Sequence, residues 1–475
     1  MHKQLFIDGQ WRDASDGASF PVYNPADESL LCEVASATVD DARAALDAAE
    51  RAQREWAARS PRERSVVLSR AFELFTARLD EFARLITLEN GKARADAMGE
   101  AAYAAEFFRW NAEEAVRAEG HYGMAPASGA RTLVHHKPAG LALLITPWNY
   151  PAAMGTRKIA PALAAGCGVI IKPASETPLT MLALMPLLEE AGVPAGLVSA
   201  LPTRRTGAVI DCLLDDPRVR VVSFTGSTEV GRTLLQGAAR QILNPAMELG
   251  GNAPFIVCAD ADIDAAVDGL MMAKMRNLGE ACTAANRIYV HRDVEAEFVD
   301  KYVAKMAALK VGNGLDEDVD VGPLVNRATR DKVASLVEDA LQRGATCRLG
   351  GQLPEGPGHF YPPTVLTDVP ADATCCSDEI FGPVAAIQTF DDEAEVIARA
   401  NDTEYGLVAY LYCGELGRGL RLGEQLEFGM LGLNRGLVSD PAAPFGGVKQ
   451  SGIGREGGKE GMLEFMETQY ISTVI

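Results

Sequence analysis

No two of the nine cysteines are spaced Cys-x-x-Cys, and only Cys375 and Cys376 adjoin. The odd number and wide scatter exclude a disulfide framework and fit reduced thiols in a cytoplasmic setting. Of the six histidines only His135 and His136 are neighbours, so zinc-ligand spacing is missing and no metal is expected. No basic segment leads into an apolar one at the N-terminus, and no apolar run approaches the roughly 18 residues of a spanning helix, so neither a signal peptide nor a membrane partner is expected. Clustered cations are lacking too, and the net charge of −20 argues against nucleic acid. The 45 glycines and 25 prolines are dispersed, which leaves no linker, low-complexity tract or solenoid repeat. No Gly-x-Gly-x-x-Gly follows a candidate strand, so the common dinucleotide fingerprint is absent.

What remains is a chain of 475 residues, 48% hydrophobic and 23% charged, long enough for two or three domains of about 100–200 residues. Its acidic exterior repels anions at long range, so an anionic substrate requires a local cationic pocket. The first third reads as mainly helical. A helix capped by Thr38 or Asp40 runs to about Arg59, a second starts at Pro61 and stops at Asn90-Gly91, and a third spans about Arg94 to Arg117. From Leu141 short apolar strands (Leu141–Thr146, Val169–Lys172, Leu197–Leu201, Val219–Thr225) alternate with helical segments such as 151–165 and 178–191. This alternation predicts an α/β fold with a mainly parallel sheet, and a second alternating region from Pro254 to about Asn434 predicts another. Segment 120–138 reads either as a hairpin that leaves the body for a subunit contact or as a surface loop.

Several residues carry chemistry. After the strand ending at Thr225, Gly226-Ser227 opens a helix whose free N–H groups and dipole suit a pyrophosphate. A P-loop is the near alternative, but Arg232 stands where its lysine belongs. Lys172 lies at the carboxyl end of a strand, where parallel sheets bind ligands. Nucleophilic catalysis at a carbonyl requires a nucleophile, oxyanion donors and a base for hydrolytic water. Cys282 among small residues, Asn149 between two prolines, and Glu248 beside a glycine pair supply such groups. Taken singly, each also fits a structural role: a small buried thiol, a turn-shaping amide, a solvated carboxylate.

Together these segments closely resemble the NAD(P)-dependent aldehyde dehydrogenase superfamily, nearly end to end. The matching stretches, in family order, are PWNYP (147–151), KPAS (172–175), FTGSTEVG (224–231), ELGGNAP (248–254), GEACTAANR (279–287), EIFGP (379–383) and PFGGVKQSGIGRE (444–456). The resemblance implies an α/β fold with a Rossmann-like cofactor-binding domain (1–119 and 139–247), an α/β catalytic domain (248–450) and a small β oligomerisation segment (120–138 and 460–475). It implies Cys282 as nucleophile, its N–H with the Asn149 amide as oxyanion site, Glu248 as hydrolytic base, and Lys158 and Glu456 as proton carriers. Cofactor contacts carry over to Trp148, Lys172, Ser175, Gly226, Ser227, Leu249, Glu379 and Phe381. Family members are typically dimers or tetramers.

Within the superfamily the chain looks most like succinate-semialdehyde dehydrogenases, whose far-carboxylate site matches Arg157, Arg276 and Ser439, with Phe445 beside them. Two guanidinium groups and a hydroxyl suit a carboxylate; structural salt bridges are the mundane alternative. Glutarate semialdehyde or a sulfonated aldehyde fits the same clamp. Ser175 replaces the glutamate of many NAD-preferring relatives, so NADP is expected to be accepted well, with NAD use still open. The pair Arg204-Arg205 could approach a 2′-phosphate. Glu280 places a carboxyl two residues before the nucleophile, where it would disfavour the thiolate if it faced the sulfur. Ala284 stands where some relatives carry a second cysteine. Competing readings are a cofactor-free thiol esterase, a nucleotide-hydrolysing P-loop protein and a catalytically silent relative.

Overall fold

The computed structural model describes residues 1–474. Its centre is an eight-stranded sheet in the order Gly452–Ile453, Asn244–Glu248, Val219–Thr225, Leu141–Ile145, Gly168–Lys172, Val198–Ala200, Leu5–Ile7, Gln10–Arg12. The five central strands run parallel, with antiparallel neighbours at both edges. Leu141–Ile145 and Gly168–Lys172 are buried at every position, as unbroken apolar runs require when helices cover both faces.

The second sheet has seven strands, ordered Thr346–Leu349, Thr364–Thr367, Val384–Phe390, Ala285–His291, Ala253–Val257, Val408–Tyr412, Met430–Leu433, parallel except at the first pair. The third sheet consists of His121–Met124, Arg131–Pro138 and Met466–Thr473. Segment 120–138 is thus a hairpin, and the end of the chain adds its third strand.

The helix Val39–Ala58 begins at Thr38, whose side chain accepts from Asp41 N–H while the Asp41 carboxylate accepts from Thr38 N–H. Its Trp56 donates to Leu163 O at 2.9 Å, fixing it against the helix Ala153–Ala165. The expected single helix from Pro61 to Asn90 is two, Pro61–Thr76 and Leu79–Asn90. Arg78 leaves helical geometry and ion-pairs with Glu190, and the bend stacks Phe75 on Phe82 with ring centroids 4.1 Å apart. The strands Leu5–Ile7, Gln10–Arg12, Ser19–Tyr23 and Leu30–Ala35 were not anticipated. For the first pair a signal existed: Asp8-Gly9, both at positive φ, makes the two-residue turn of a hairpin.

The carboxyl ends of Gly168–Lys172, Val219–Thr225 and Asn244–Glu248 all belong to the first sheet. Thr225 and Leu249 on that side, and Cys282, Glu379 and Phe381 opposite, line one cleft. Among the described residues no helix is long and apolar enough to cross a membrane.

Candidate active site

Two cavities meet at Cys282. A cleft of about 230 Å³ runs from Cys282 past Trp148, Gly226, Ser227 and Glu379. A chamber of only about 20 Å³ lies on the other side, bounded by Tyr103, Arg157, Arg276, Ser439 and Phe445. Asn149 and Thr225 also border both.

The half-buried Cys282 follows a backbone that few sequences tolerate. Asn277, Leu278 and Gly279 all hold positive φ (53°, 56° and 77°), and a Cβ at Gly279 would sit 2.3 Å from Gly382 O. Asn277 N–H donates to Asp96 at 2.8 Å, and the Asn277 amide donates to Glu280 O at 2.9 Å, so the turn is braced from outside and within. Gly251 lets the opposing chain close in, since a Cβ there would lie 2.6 Å from Cys282 O. The Glu280 side chain is fully buried and turns away, accepting from Val325 N–H at 3.1 Å. Burial pushes its carboxyl up to about 8. Burial first, and then the charges of Glu248 and Glu379, raise the Cys282 thiol well above its ordinary range, against the pull of Arg157 and Arg276.

Asn149 sits in the turn between Leu141–Ile145 and Ala153–Ala165, and its Nδ2 donates to Glu280 O at 2.9 Å. One of its two N–H bonds is thereby committed and orients the amide, leaving the other free. Glu248 ends the strand Asn244–Glu248, and among the described residues neither of its carboxyl oxygens has a hydrogen-bond partner. Burial first, and then the charge of Glu456, raise its carboxyl well above the ordinary range; Arg157 and Lys158 act in the opposite direction. Lys158 is ion-paired with Glu456 and donates to Ser223 Oγ at 2.9 Å. Phe445 and Glu456 exchange two backbone hydrogen bonds (2.7 and 2.8 Å), which seat Glu456 beside the chamber.

The cleft fits a nicotinamide dinucleotide. Gly226 leaves no room for a side chain, since its Cβ would meet the Phe224 ring at 2.4 Å, and Ser227 caps the helix Thr228–Ala239. The first N–H groups of that helix suit a pyrophosphate. Leu249 fills the space against Gly231. Trp148 and Phe381 meet edge to face, centroids 5.4 Å apart, with Phe381 at positive φ. Glu379 accepts from Gly251 N–H at 3.3 Å, and burial raises its carboxyl to about 7. Lys172 is buried at its strand end, and burial lowers its ammonium. Ser175 borders a separate pocket with Arg204. Arg205 instead ion-pairs with Asp16, so only the first of the adjacent arginines faces that pocket. Arg232 is tied to Gln450 and Glu404 and does not line the cleft, which counts against a P-loop. Thr329 and Lys332, on the helix Arg327–Gln342, line the cleft without any sequence signal beyond helical spacing.

In the small chamber the two arginines differ. Arg157 is buried under Phe445, its Cζ 4.1 Å from the ring centroid, bonds Tyr103, and lies 3.5 Å from Glu456. Arg276 donates to Ser439 Oγ at 3.4 Å and Thr283 Oγ1 at 3.5 Å. Among the described residues no carboxylate comes within 4.0 Å of it. Tyr103 and Tyr150, both on the chamber wall, were not anticipated; aromatic residues at helical spacing look like ordinary core.

A thiol and an amide from distant segments thus border both a groove and a cationic chamber, and the buried Glu248 carboxyl lies near enough to act on the thiol. The sequence pattern of the aldehyde dehydrogenase family matches residues 11–471, and the chain belongs to that family. It is 54% identical to a succinate-semialdehyde dehydrogenase of Paenarthrobacter nicotinovorans over 93% of this chain and 98% of that protein. A glutarate-semialdehyde dehydrogenase of Pseudomonas putida is 47% identical over 99% and 98% of the two chains. The crystal structure of an Escherichia coli NADP dependent enzyme superposes with a TM-score of 0.98 at 46% identity, covering 100% of this chain and 98% of that one.

Proposed function

We propose that this aldehyde dehydrogenase oxidises succinate semialdehyde to succinate, with NADP accepted well, and that Cys282 is its nucleophile. One observation carries the reading: Cys282 is the sulfur at the junction of the groove and the cationic chamber. A substrate whose far carboxylate meets Arg276 and Ser439 would present its aldehyde carbon to that sulfur.

The thiol must pass its proton to a base, either ionised Glu248 or water in the groove, before it reacts; the buried site opposes this, and the positive charges of Arg157 and Arg276 favour the thiolate. Sulfur adds to the carbonyl, and the resulting oxyanion accepts from the free N–H of Asn149 and from Cys282 N–H. Bound NADP or NAD supplies the hydride acceptor, held by Gly226-Ser227, Lys172 and Glu379. The thioester left on Cys282 is cleaved by water. Glu248 acts as base once ionised, and its proton can pass toward the Lys158–Glu456 pair and Ser223.

The same reading assigns 1–119 and 139–247 to cofactor binding, 248–450 to catalysis, and 120–138 with 460–475 to subunit contact. Tyr122, Met124 and Tyr470 stand exposed on that last sheet, which supports a homodimer or homotetramer. Free thiols throughout fit a cytoplasmic protein.

The test is a panel of aldehydes followed by NADPH and NADH absorbance, with Cys282→Ala alongside. Succinate semialdehyde should give the highest kcat/KM, and Cys282→Ala should lose turnover by more than about 10⁴-fold while still binding cofactor. A higher kcat/KM for glutarate semialdehyde or a sulfonated aldehyde would replace the substrate. Undiminished turnover by the alanine variant would remove the nucleophile.

A further inference from the structure

The turn Asn90-Gly91-Lys92, readable in the sequence only as a helix stop, grips the segment that carries Asn149. Asn90 Nδ2 donates to Trp148 O at 3.1 Å, and Lys92 Nζ donates to Asn149 O at 2.6 Å. Lys92 also pairs with Glu100 at 2.6 Å, with both side chains fully buried, and its ammonium lies 4.1 Å from the centroid of the Tyr150 ring. The other Glu100 oxygen accepts from Ala152 N–H at 2.8 Å and Ala153 N–H at 3.3 Å, the uncapped start of the helix Ala153–Ala165. Gly91, at φ 98°, brings the turn so close to Pro323 that a Cβ would lie 2.9 Å away. One lysine therefore links the Asn149 carbonyl, through Glu100, to the helix that follows.

A buried ion pair is a poor source of stability, because removing two charges from water costs about as much as their attraction returns. Placement is what this pair does supply. Among the described residues, the Asn149 carbonyl without Lys92 keeps only the Asn277 amide, 3.0 Å away, and that amide is shared with Glu280 O. An oxyanion donor must be held to within about half an ångström to be effective. We propose that Lys92, locked by Glu100, is a positioning residue that holds the Asn149 amide in place for the oxyanion. The inference rests on the proposed role of Asn149.

The experiment is a double-mutant cycle on the pre-steady-state burst of NADPH. Lys92→Met with Glu100→Gln removes both charges together, so neither is left buried alone. The burst rate should fall on the order of 10- to 100-fold, with KM for aldehyde and Kd for NADP within about threefold of the wild type. In an Asn149→Ala background the same pair of changes should lower the burst no further. Asn90→Ala, which buries no charge, should show a smaller fall with the same dependence on Asn149, and carries the test if the paired variant does not fold. Losses that multiply in the Asn149→Ala background, or an unchanged burst, would overturn the positioning role. If Asn149→Ala alone leaves the burst intact, the fault lies with the assigned role of Asn149.

Discussion

The groove and the chamber that meet at Cys282 are made of different material. The groove is lined largely by short stretches (147–149, 225–227 and 249–250, with Glu379 and Phe381), and its fit comes from glycine clearance, a helix terminus and ring edges. The chamber is a tenth of the size and is closed by the tips of side chains from the helix Arg94–Glu114 (Tyr103), the helix Ala153–Ala165 (Arg157), the strained turn (Arg276) and the segment 439–445. A long ligand is recognised along its length by backbone and shape, whereas a small anion must be recognised by a few charged groups in little space. Changes in the chamber should therefore alter which aldehyde reacts, and changes along the groove should alter which dinucleotide serves.

The largest effect expected from this contrast separates the two arginines. Among the described residues no carboxylate lies within 4.0 Å of Arg276, although the charge of Asp96 acts on it from further off, so a substrate carboxylate would be its first directly paired counter-ion. Arg157 already shares Glu456 with Lys158. Arg276→Met should lower kcat/KM for succinate semialdehyde by about 100-fold, the worth of a charge-assisted hydrogen-bonded pair, and leave a neutral aldehyde of similar length within about threefold. Arg157→Met should harm both substrates, because Glu456 loses a neighbour and the proton path is disturbed along with the clamp. Equal losses on both aldehydes from Arg276→Met would break the comparison.

The same contrast governs what could be read in advance. Gly226 and Ser227 sit between a strand end and a helix start, where local pattern alone points to a phosphate site, whereas Glu379 and Phe381 lie in an irregular segment and are marked only by the family resemblance of EIFGP. The alternation of apolar strands and helices from Leu141 onward likewise follows from local composition. Tyr103, Tyr150, Thr329 and Lys332 line the two cavities through tertiary folding alone, and helical spacing cannot distinguish them from core or surface. The sense of Glu280 was unreadable for a further reason: three successive left-handed residues reverse the chain before it, and two of them are not glycine. The short N-terminal strands escaped notice because runs of three to six residues hold too few repeats to fix a period.

A smaller effect tests dinucleotide choice at the pocket beside Ser175, apart from the groove. Lys172 is held at a strand end, and Ser175 with Arg204 borders a pocket of its own. A carboxylate at Ser175 would repel a 2′-phosphate and accept from a ribose hydroxyl. Ser175→Glu should reduce kcat/KM for NADP by roughly 10- to 100-fold, judged from Coulomb repulsion at a partly exposed site, with NAD unchanged or improved. The preference among aldehydes should not move, since the chamber is untouched. A parallel loss with both dinucleotides would show that Ser175 matters for folding of the turn and not for the phosphate.

The smallest effect on turnover is expected from Glu280, which belongs to neither cavity although it lies two residues from the nucleophile. Its carboxyl faces Val325 N–H, and burial holds it protonated up to about 8. Glu280→Gln keeps an oxygen for that N–H, so kcat and the pH profile of Cys282 alkylation should stay within about twofold of the wild type. Stability should respond more clearly. A carboxyl raised in the fold favours the folded state fully below its ordinary range, and that contribution is lost as pH rises toward about 8. The glutamine has no such dependence, so the Tm of Glu280→Gln should exceed that of the wild type by a margin that grows between about pH 5 and about pH 8. An alkylation profile displaced to lower pH would mean instead that the carboxyl reaches the sulfur, and the separation of this side chain from the reacting wall would fall.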